Sequence, residues 1–108
     1  MKLNEFIERL NLTVLTDGDT EKEITGCYCG DLLSWVMSKA TAGDAWLTVM
    51  GNVNAVAVAV LTDCACVVLT ENAPLDDAAI QRARMQNVCF LQSEKSAYEL
   101  ASQISKLI

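Results

Sequence analysis

The residues in this chain with the most chemistry to offer are five cysteines, Cys27, Cys29, Cys64, Cys66 and Cys89. Four of them make two Cys-x-Cys pairs, Cys27-Tyr28-Cys29 and Cys64-Ala65-Cys66. Four thiolates could hold zinc or an iron–sulfur cluster. The usual ligand spacing is Cys-x-x-Cys, however, and a one-residue gap in a strand puts both thiols on one face, where cysteine packs as a small apolar residue. Cys89 lies inside an apolar run and reads the same way. No Lys, Arg or His adjoins any of the five, so none is expected to be acidified into a nucleophile.

Oxygen and nitrogen chemistry is thinner still. The chain has no histidine, which removes His-based triads, His metal sites and the commonest general base near neutral pH. No Gly-Lys-Ser/Thr loop and no Gly-x-Gly-x-x-Gly occurs, so nucleotide hydrolysis is not supported. Asp17, Asp19, Glu21 and Glu23 could offer oxygens to a hard cation, but they lack the ligand order and central glycine of an EF-hand and read as a solvated acidic loop. These residues point to no catalytic group and to no bound cofactor. A net charge of −6, from 8 basic and 14 acidic side chains, argues against nucleic acid as a partner.

Positioning these residues falls to alternating elements. Leu3, Phe6, Ile7 and Leu10 mark one face of a helix ending near Asn11. Thr13 to Thr16 reads as a strand, broken by Asp17-Gly18-Asp19, and a polar loop runs to about Lys22. Gly30-Asp31 introduces a second helix through Leu33, Val36, Met37 and Ala40, with the Asp31 carboxylate placed to cap it. Gly43-Asp44 closes that helix, and Trp46 to Met50 reads as a buried strand.

Residues 55–61 alternate Ala and Val like a strand, yet suit a buried helix equally well. Helix is favoured, because Asn52 or Asn54 can cap it and a parallel crossover needs one. Ala65 to Thr70 is a strand. Pro74, Asp76 and Asp77 open a helix carrying Ala79, Ile80 and Ala83, and Val88 to Leu91 is a further strand. Ser93 is expected to cap a last helix whose apolar face is Ala97, Leu100, Ala101, Ile104 and Ile108. Trp35, Trp46, Met37, Met50 and Met85 are expected in the core.

The sum is one α/β domain over residues 1–108, three layers with a mostly parallel central sheet of about four to five strands. At 108 residues, 52% of them apolar, the chain can bury a real core. The stretch from Ala45 to Thr62 is interrupted by Gly51, Asn52 and Asn54 and reads as buried, not membrane-spanning. The first ten residues, MKLNEFIERL, carry two acids and no apolar core of signal-peptide length. A cytoplasmic protein with reduced thiols is expected.

Ligands of open α/β sheets gather beyond the carboxyl ends of the strands. By that rule the candidate loops are Asp17-Gly18-Asp19, Gly51-Asn52-Val53-Asn54, Glu71-Asn72-Ala73 and Gln92-Ser93. The second offers a helix amino terminus to a small anion, although Gly and Asn also serve simply as turn and cap.

The order Thr16-Asp17-Gly18, then Gly26-Cys27-Tyr28-Cys29-Gly30-Asp31-Leu32-Leu33-Ser34, then Gly43-Asp44-Ala45-Trp46-Leu47-Thr48, then Asn54-Ala55-Val56-Ala57-Val58-Ala59 resembles the DRTGG domain family, in particular its small stand-alone members from anaerobic bacteria. The similarity runs from about Asn11 to the carboxyl end, and the string Asp-Arg-Thr-Gly-Gly itself is absent. The resemblance implies a three-layer α/β domain of the kind fused to CBS domains and to enzymes as a non-catalytic regulatory part, often paired as a homodimer. Its matching residues are Asp17, Gly18, Gly30, Asp31 and Asn54, to which the loop argument adds Asn52.

The function expected is therefore a regulatory or accessory domain binding a small ligand, a nucleotide among the candidates, or an enzyme partner. The alternative is a thiolate metal or iron–sulfur redox accessory protein, hydrogenase-associated, built on Cys27, Cys29, Cys64 and Cys66.

Overall fold

Parallel strands cannot be joined by tight turns, so each needs a crossover element. The computed structural model, which describes all 108 residues, supplies one helix for every such step. In chain order the elements are α1 (Leu3–Arg9), β1 (Thr13–Thr16), β2 (Gly26–Cys29), α2 (Leu33–Lys39), β3 (Asp44–Thr48), α3 (Val53–Thr62), β4 (Cys66–Leu69), α4 (Asp77–Gln86), β5 (Phe90–Gln92) and α5 (Ala97–Ile104). The sheet order is β1-β5-β4-β3-β2. Strands β2 to β5 are parallel, and β1 runs antiparallel to β5.

The steps β2 to β3, β3 to β4 and β4 to β5 all move the same way across the sheet. Right-handed crossovers therefore place α2, α3 and α4 on one face. Two cores follow, divided by the alternation of each strand. Trp46, Val67, Leu69 and Phe90 meet Val36, Val56, Ala59, Ala79 and Ala83 on that face. Ala45, Leu47, Cys66, Val68 and Leu91 meet Leu3, Phe6, Leu100 and Ile104 of α1 and α5 on the other. Every residue of β3 and of β4 is buried, as central parallel strands covered on both faces must be.

Residues 55–61 are helical. Asn52 caps α3, its side-chain oxygen accepting from the Ala55 amide at 3.0 Å. Four expectations are corrected. The sequence pattern predicts four strands, and the fifth is β2, a half-buried edge strand whose two cysteines, tyrosine and glycine carry no apolar alternation. The second helix is preceded by Leu32 without a side-chain cap, because the Asp31 carboxylate is bonded elsewhere. The last helix is capped by Ser96 and not Ser93: Ser96 and Glu99 form a reciprocal capping box, whereas Ser93 Oγ accepts from the Lys95 amide within the preceding loop. Trp35, Met37 and Met85 lie on the surface, Trp35 61% and Met85 80% exposed, because the outer faces of α2 and α4 have no further layer to pack against. Trp46 is fully buried, and Met50 packs partly buried against the core.

Candidate functional site

Four loops leave the carboxyl ends of β2 to β5 on one rim of the sheet. Asp31, just after β2, reaches across to β3: Thr48 Oγ1 donates to its Oδ1 at 2.8 Å and the Val49 amide at 3.0 Å. Thr48 Oγ1 in turn accepts from the Met50 amide at 3.2 Å. Gly30 is fixed beside it, its amide donating to the Leu47 carbonyl and its own carbonyl accepting from Trp46 Nε1 at 2.8 Å. The buried indole thus finds the partner its N–H requires.

The next two loops are locked together. A Cβ on Gly51 would lie 1.9 Å from the Pro74 carbonyl oxygen, so only glycine allows that approach, and the Asp76 amide donates to the Gly51 carbonyl at 2.9 Å. Glu71 and Asn72 are both left-handed, at φ 56° and 55°, in a two-residue turn closed by the Ala73 amide on the Thr70 carbonyl. Side chains other than glycine cost energy there. The Glu71 amide donates to the Lys95 carbonyl and the Asn72 amide to the Ser93 carbonyl, which holds the turn against the last loop.

The ends of β2, β3 and β4, with the first residue of α5, line a cleft of about 250 Å³: Cys29, Gly30, Asp31, Leu47, Thr48, Val49, Thr70, Glu71 and Ala97. Of the expected site residues, Gly30 and Asp31 line it. Asn52 and Asn54 stand at the start of α3 on the same rim, Asn52 committed to its cap and Asn54 exposed. Asp17 and Gly18 are not with them. Because β1 is antiparallel, its carboxyl end opens on the opposite rim, where a second cleft of about 260 Å³ is lined by Gly18, Asp19, Lys22, Cys64, Ala65, Asn87, Val88 and Cys89. The carboxyl ends of strands share one rim only where the strands are parallel, and β1 is not.

The acidic loop is occupied with surface pairs: Glu23 with the Met1 ammonium at 2.9 Å and Glu21 with Lys2 at 3.6 Å, while Asp19 accepts from the Glu21 amide.

The two Cys-x-Cys pairs do not meet. Cys64 precedes β4, donates from Sγ to the Ala59 carbonyl at 3.7 Å and packs with the α2–α4 core, whereas Cys66 faces α1 and α5. Cys27 lies in register with Ala45, and Ala45 with Cys66, so a whole strand separates those two thiols. No three Cys, Asp or Glu side chains are grouped as a metal site needs. The four-cysteine centre is not formed.

Burial pushes the Cys64 thiol up to about 11, Cys89 up to about 12 and Cys66 well above the ordinary value. Cys29 departs from this and from expectation. The neighbouring Cys27 thiol brings it down to about 7, against burial and the Asp31 carboxylate, while Cys29 in turn, with burial, raises Cys27. The acidifying group is another thiol two residues away, so a search for neighbouring cations passes over it; the i, i+2 spacing was the available signal.

A family model described as the DRTGG domain matches residues 5–107. The chain belongs to the DRTGG domain family. Its rim cleft is thus a feature of a DRTGG domain, and the β2 run Gly26 to Cys29 is part of the matched region. No curated protein sequence matches the chain. Among solved structures, this DRTGG domain is similar to the CBS and DRTGG domains of the regulatory region of Clostridium perfringens pyrophosphatase, complexed with the activator diadenosine tetraphosphate, with a TM-score of 0.73 and 11% sequence identity. The match covers 95% of this chain and 45% of that one, so the chain spans under half of its structural neighbour. At that identity the likeness concerns the fold: an α/β domain with a mostly parallel five-stranded sheet between helical layers. No helix is long and apolar enough to cross a membrane.

Proposed function

We propose that this DRTGG domain is a non-catalytic regulatory or accessory domain, acting in the cytoplasm, that binds one nucleotide-sized ligand at the carboxyl rim of its sheet. The observation that carries the reading is the rim cleft, built by the carboxyl ends of β2, β3 and β4 with the start of α5 and braced by Asp31, in a fold shared with part of a regulatory region crystallised with a dinucleotide activator. At about 250 Å³ the cleft falls just below the roughly 300–1,000 Å³ of typical ligand pockets, which suits the base and ribose of a mononucleotide or one end of a dinucleotide. Glu71 and Asp31 offer carboxylate oxygens to ribose hydroxyls. The amides at the start of α3, beside Asn52 and Asn54, suit the phosphate. Gly30 lines the cleft, and Asp17 and Gly18 on the opposite rim take no part.

Isothermal titration with adenosine mono-, di- and triphosphate and with diadenosine tetraphosphate tests this. Saturable binding of one ligand per chain is expected, weakened about tenfold by Asn54→Asp, which sets a second negative charge near the phosphate and corresponds to ~1.4 kcal/mol. No binding by any of the four refutes the reading. The same proposal includes pairing as a homodimer or docking on an enzyme through the α3–α4 groove. That groove is lined by Val56, Ala57, Val60, Leu61, Arg82 and Gln86, and Leu61 and Met85 stand exposed at its side. Light scattering should return twice the chain mass, and the chain mass for Leu61→Glu; a monomeric parent refutes the homodimer.

A further inference from the structure

Helices α1 and α5 lie on the same face of the sheet, where their buried sides share one core. Between them runs a groove of about 300 Å³ whose polar lining is Arg9, Asn11, Lys95, Gln103 and Lys106, with no carboxylate among them. Three of the eight basic side chains thus meet in one groove of a chain whose net charge is −6. They are poorly neutralised. Lys95 and Lys106 form no ion pair, and Arg9 has only an exposed pair with Glu5 of its own helix at 3.5 Å.

Helix dipoles account for two of the three. A cation is favoured at the carboxyl end of a helix, where Arg9 closes α1 and Lys106 follows α5. Lys95 stands two residues ahead of α5, beside the positive end of that dipole, where a cation is disfavoured. Its side chain nonetheless runs along the helix and donates from Nζ to Gln103 Oε1 at 3.3 Å, which holds the ammonium in the groove. Its backbone is fixed as well, the amide donating to Ser93 Oγ at 3.1 Å and the carbonyl accepting from the Glu71 amide at 2.9 Å. A negative charge in the groove would offset the unfavourable placement of Lys95, and the groove's own lining supplies none.

We propose that the α1–α5 groove binds the phosphoryl group of a small anion, with Arg9, Lys95 and Lys106 supplying charge and Asn11 and Gln103 supplying amide donors. The Gln103 oxygen is taken by Lys95, so its Nε2 hydrogens are left to donate. A phosphate monoester carries about two negative charges and three acceptor oxygens, which matches three cations better than the single charge of a carboxylate. Arginine meets such a group with a planar fork and lysine with a point charge. Free phosphate and a phosphate ester share this chemistry. A second cleft of about 210 Å³ continues the groove through the shared Asn11 and Lys95, lined by Thr13, Asn72, Gln92 and Ser93 with Glu94 as its one carboxylate, so the hydroxylated remainder of an ester has polar partners. No aromatic ring lines either cleft, and neither shares a lining residue with the rim cleft. This site is separate from the nucleotide site proposed above.

The test titrates the isotope-labelled full chain with sodium phosphate and, separately, with glucose 6-phosphate, against glucose and sodium chloride at matched ionic strength, reading amide shifts. Saturable shifts at Asn11, Lys95 and residues 103–107, absent with glucose and chloride, are expected, with Gly30 and Asp31 unmoved. Tighter binding of the ester assigns the groove to a phosphorylated metabolite, and equal or tighter binding of phosphate assigns it to the free ion. Lys95→Gln, which keeps a donor for Gln103, and Lys106→Gln should each weaken binding about threefold, within the roughly fivefold that an exposed ion pair is worth, and the double variant about tenfold. No saturation by about 20 mM of either anion, an affinity unchanged in the double variant, or shifts centred on Gly30 and Asp31 overturns the proposal. Urea unfolding of each variant confirms that it is folded, so weaker binding is read as lost charge.

Discussion

Replacing Asp31 by alanine separates a bracing role from a ligand role at the rim. The substitution removes the acceptor of two hydrogen bonds, from Thr48 Oγ1 at 2.8 Å and from the Val49 amide at 3.0 Å. Val49 is exposed, so water replaces the carboxylate there at little cost. Thr48 is only 2% exposed, and its hydroxyl proton loses a charged acceptor, worth about 1.5–3 kcal/mol. The expected loss for Asp31→Ala is about 2 kcal/mol, or roughly 10 °C in Tm for a domain of this size. Asp31→Asn keeps a side-chain oxygen at the same place and should cost under about 1 kcal/mol. Urea unfolding followed by tryptophan fluorescence is well suited, because the buried Trp46 indole is bonded to the adjacent Gly30 carbonyl. Equal stability of the alanine variant and the parent would refute the clamp.

Two further outcomes follow from the same geometry. Ser96→Ala, which breaks the capping box of α5, should cost about 1 kcal/mol in urea unfolding, whereas Ser93→Ala, outside the cap, should cost less than half of that; equal losses would contradict the assigned cap. The alkylation rate of Cys29 by iodoacetamide should rise with pH through a midpoint near 7 and level off, because the thiolate is the reacting form and its fraction is complete well below 9.0, where an ordinary thiol is still rising. A midpoint at 9 would contradict the lowering of Cys29 by its Cys27 neighbour.

Much of this architecture was legible in the sequence because its local signals agree with the global fold. The apolar runs around Trp46 and Val67 and the helix at residues 55–61 follow from the demand that parallel neighbours be linked by a crossover. The resemblance carried by the Gly26 to Ser34 run held for residues 5–107. What could not be read was direction and depth. Nothing local tells that β1 runs against its neighbour, and that reversal alone moves Asp17 and Gly18 to the other rim. Asp31 has the right residue type for a cap but is used by Thr48, a partner seventeen residues away. Trp35 and Met85 satisfy helical spacing, yet their helices have only one face covered. The Cys27 and Cys29 spacing reads as core packing because two thiols on one strand face resemble small apolar residues, and nothing local tells that β2 is a half-buried edge strand.

The measurement that tests the central claim most directly is amide shift mapping of the labelled chain titrated with adenosine monophosphate. Shifts confined to Gly30, Asp31, residues 49–54 and Glu71, saturating at one ligand per chain, are what ligand binding at the carboxyl rim predicts. Shifts centred on Asp17 to Lys22, or none at saturating nucleotide, would contradict it.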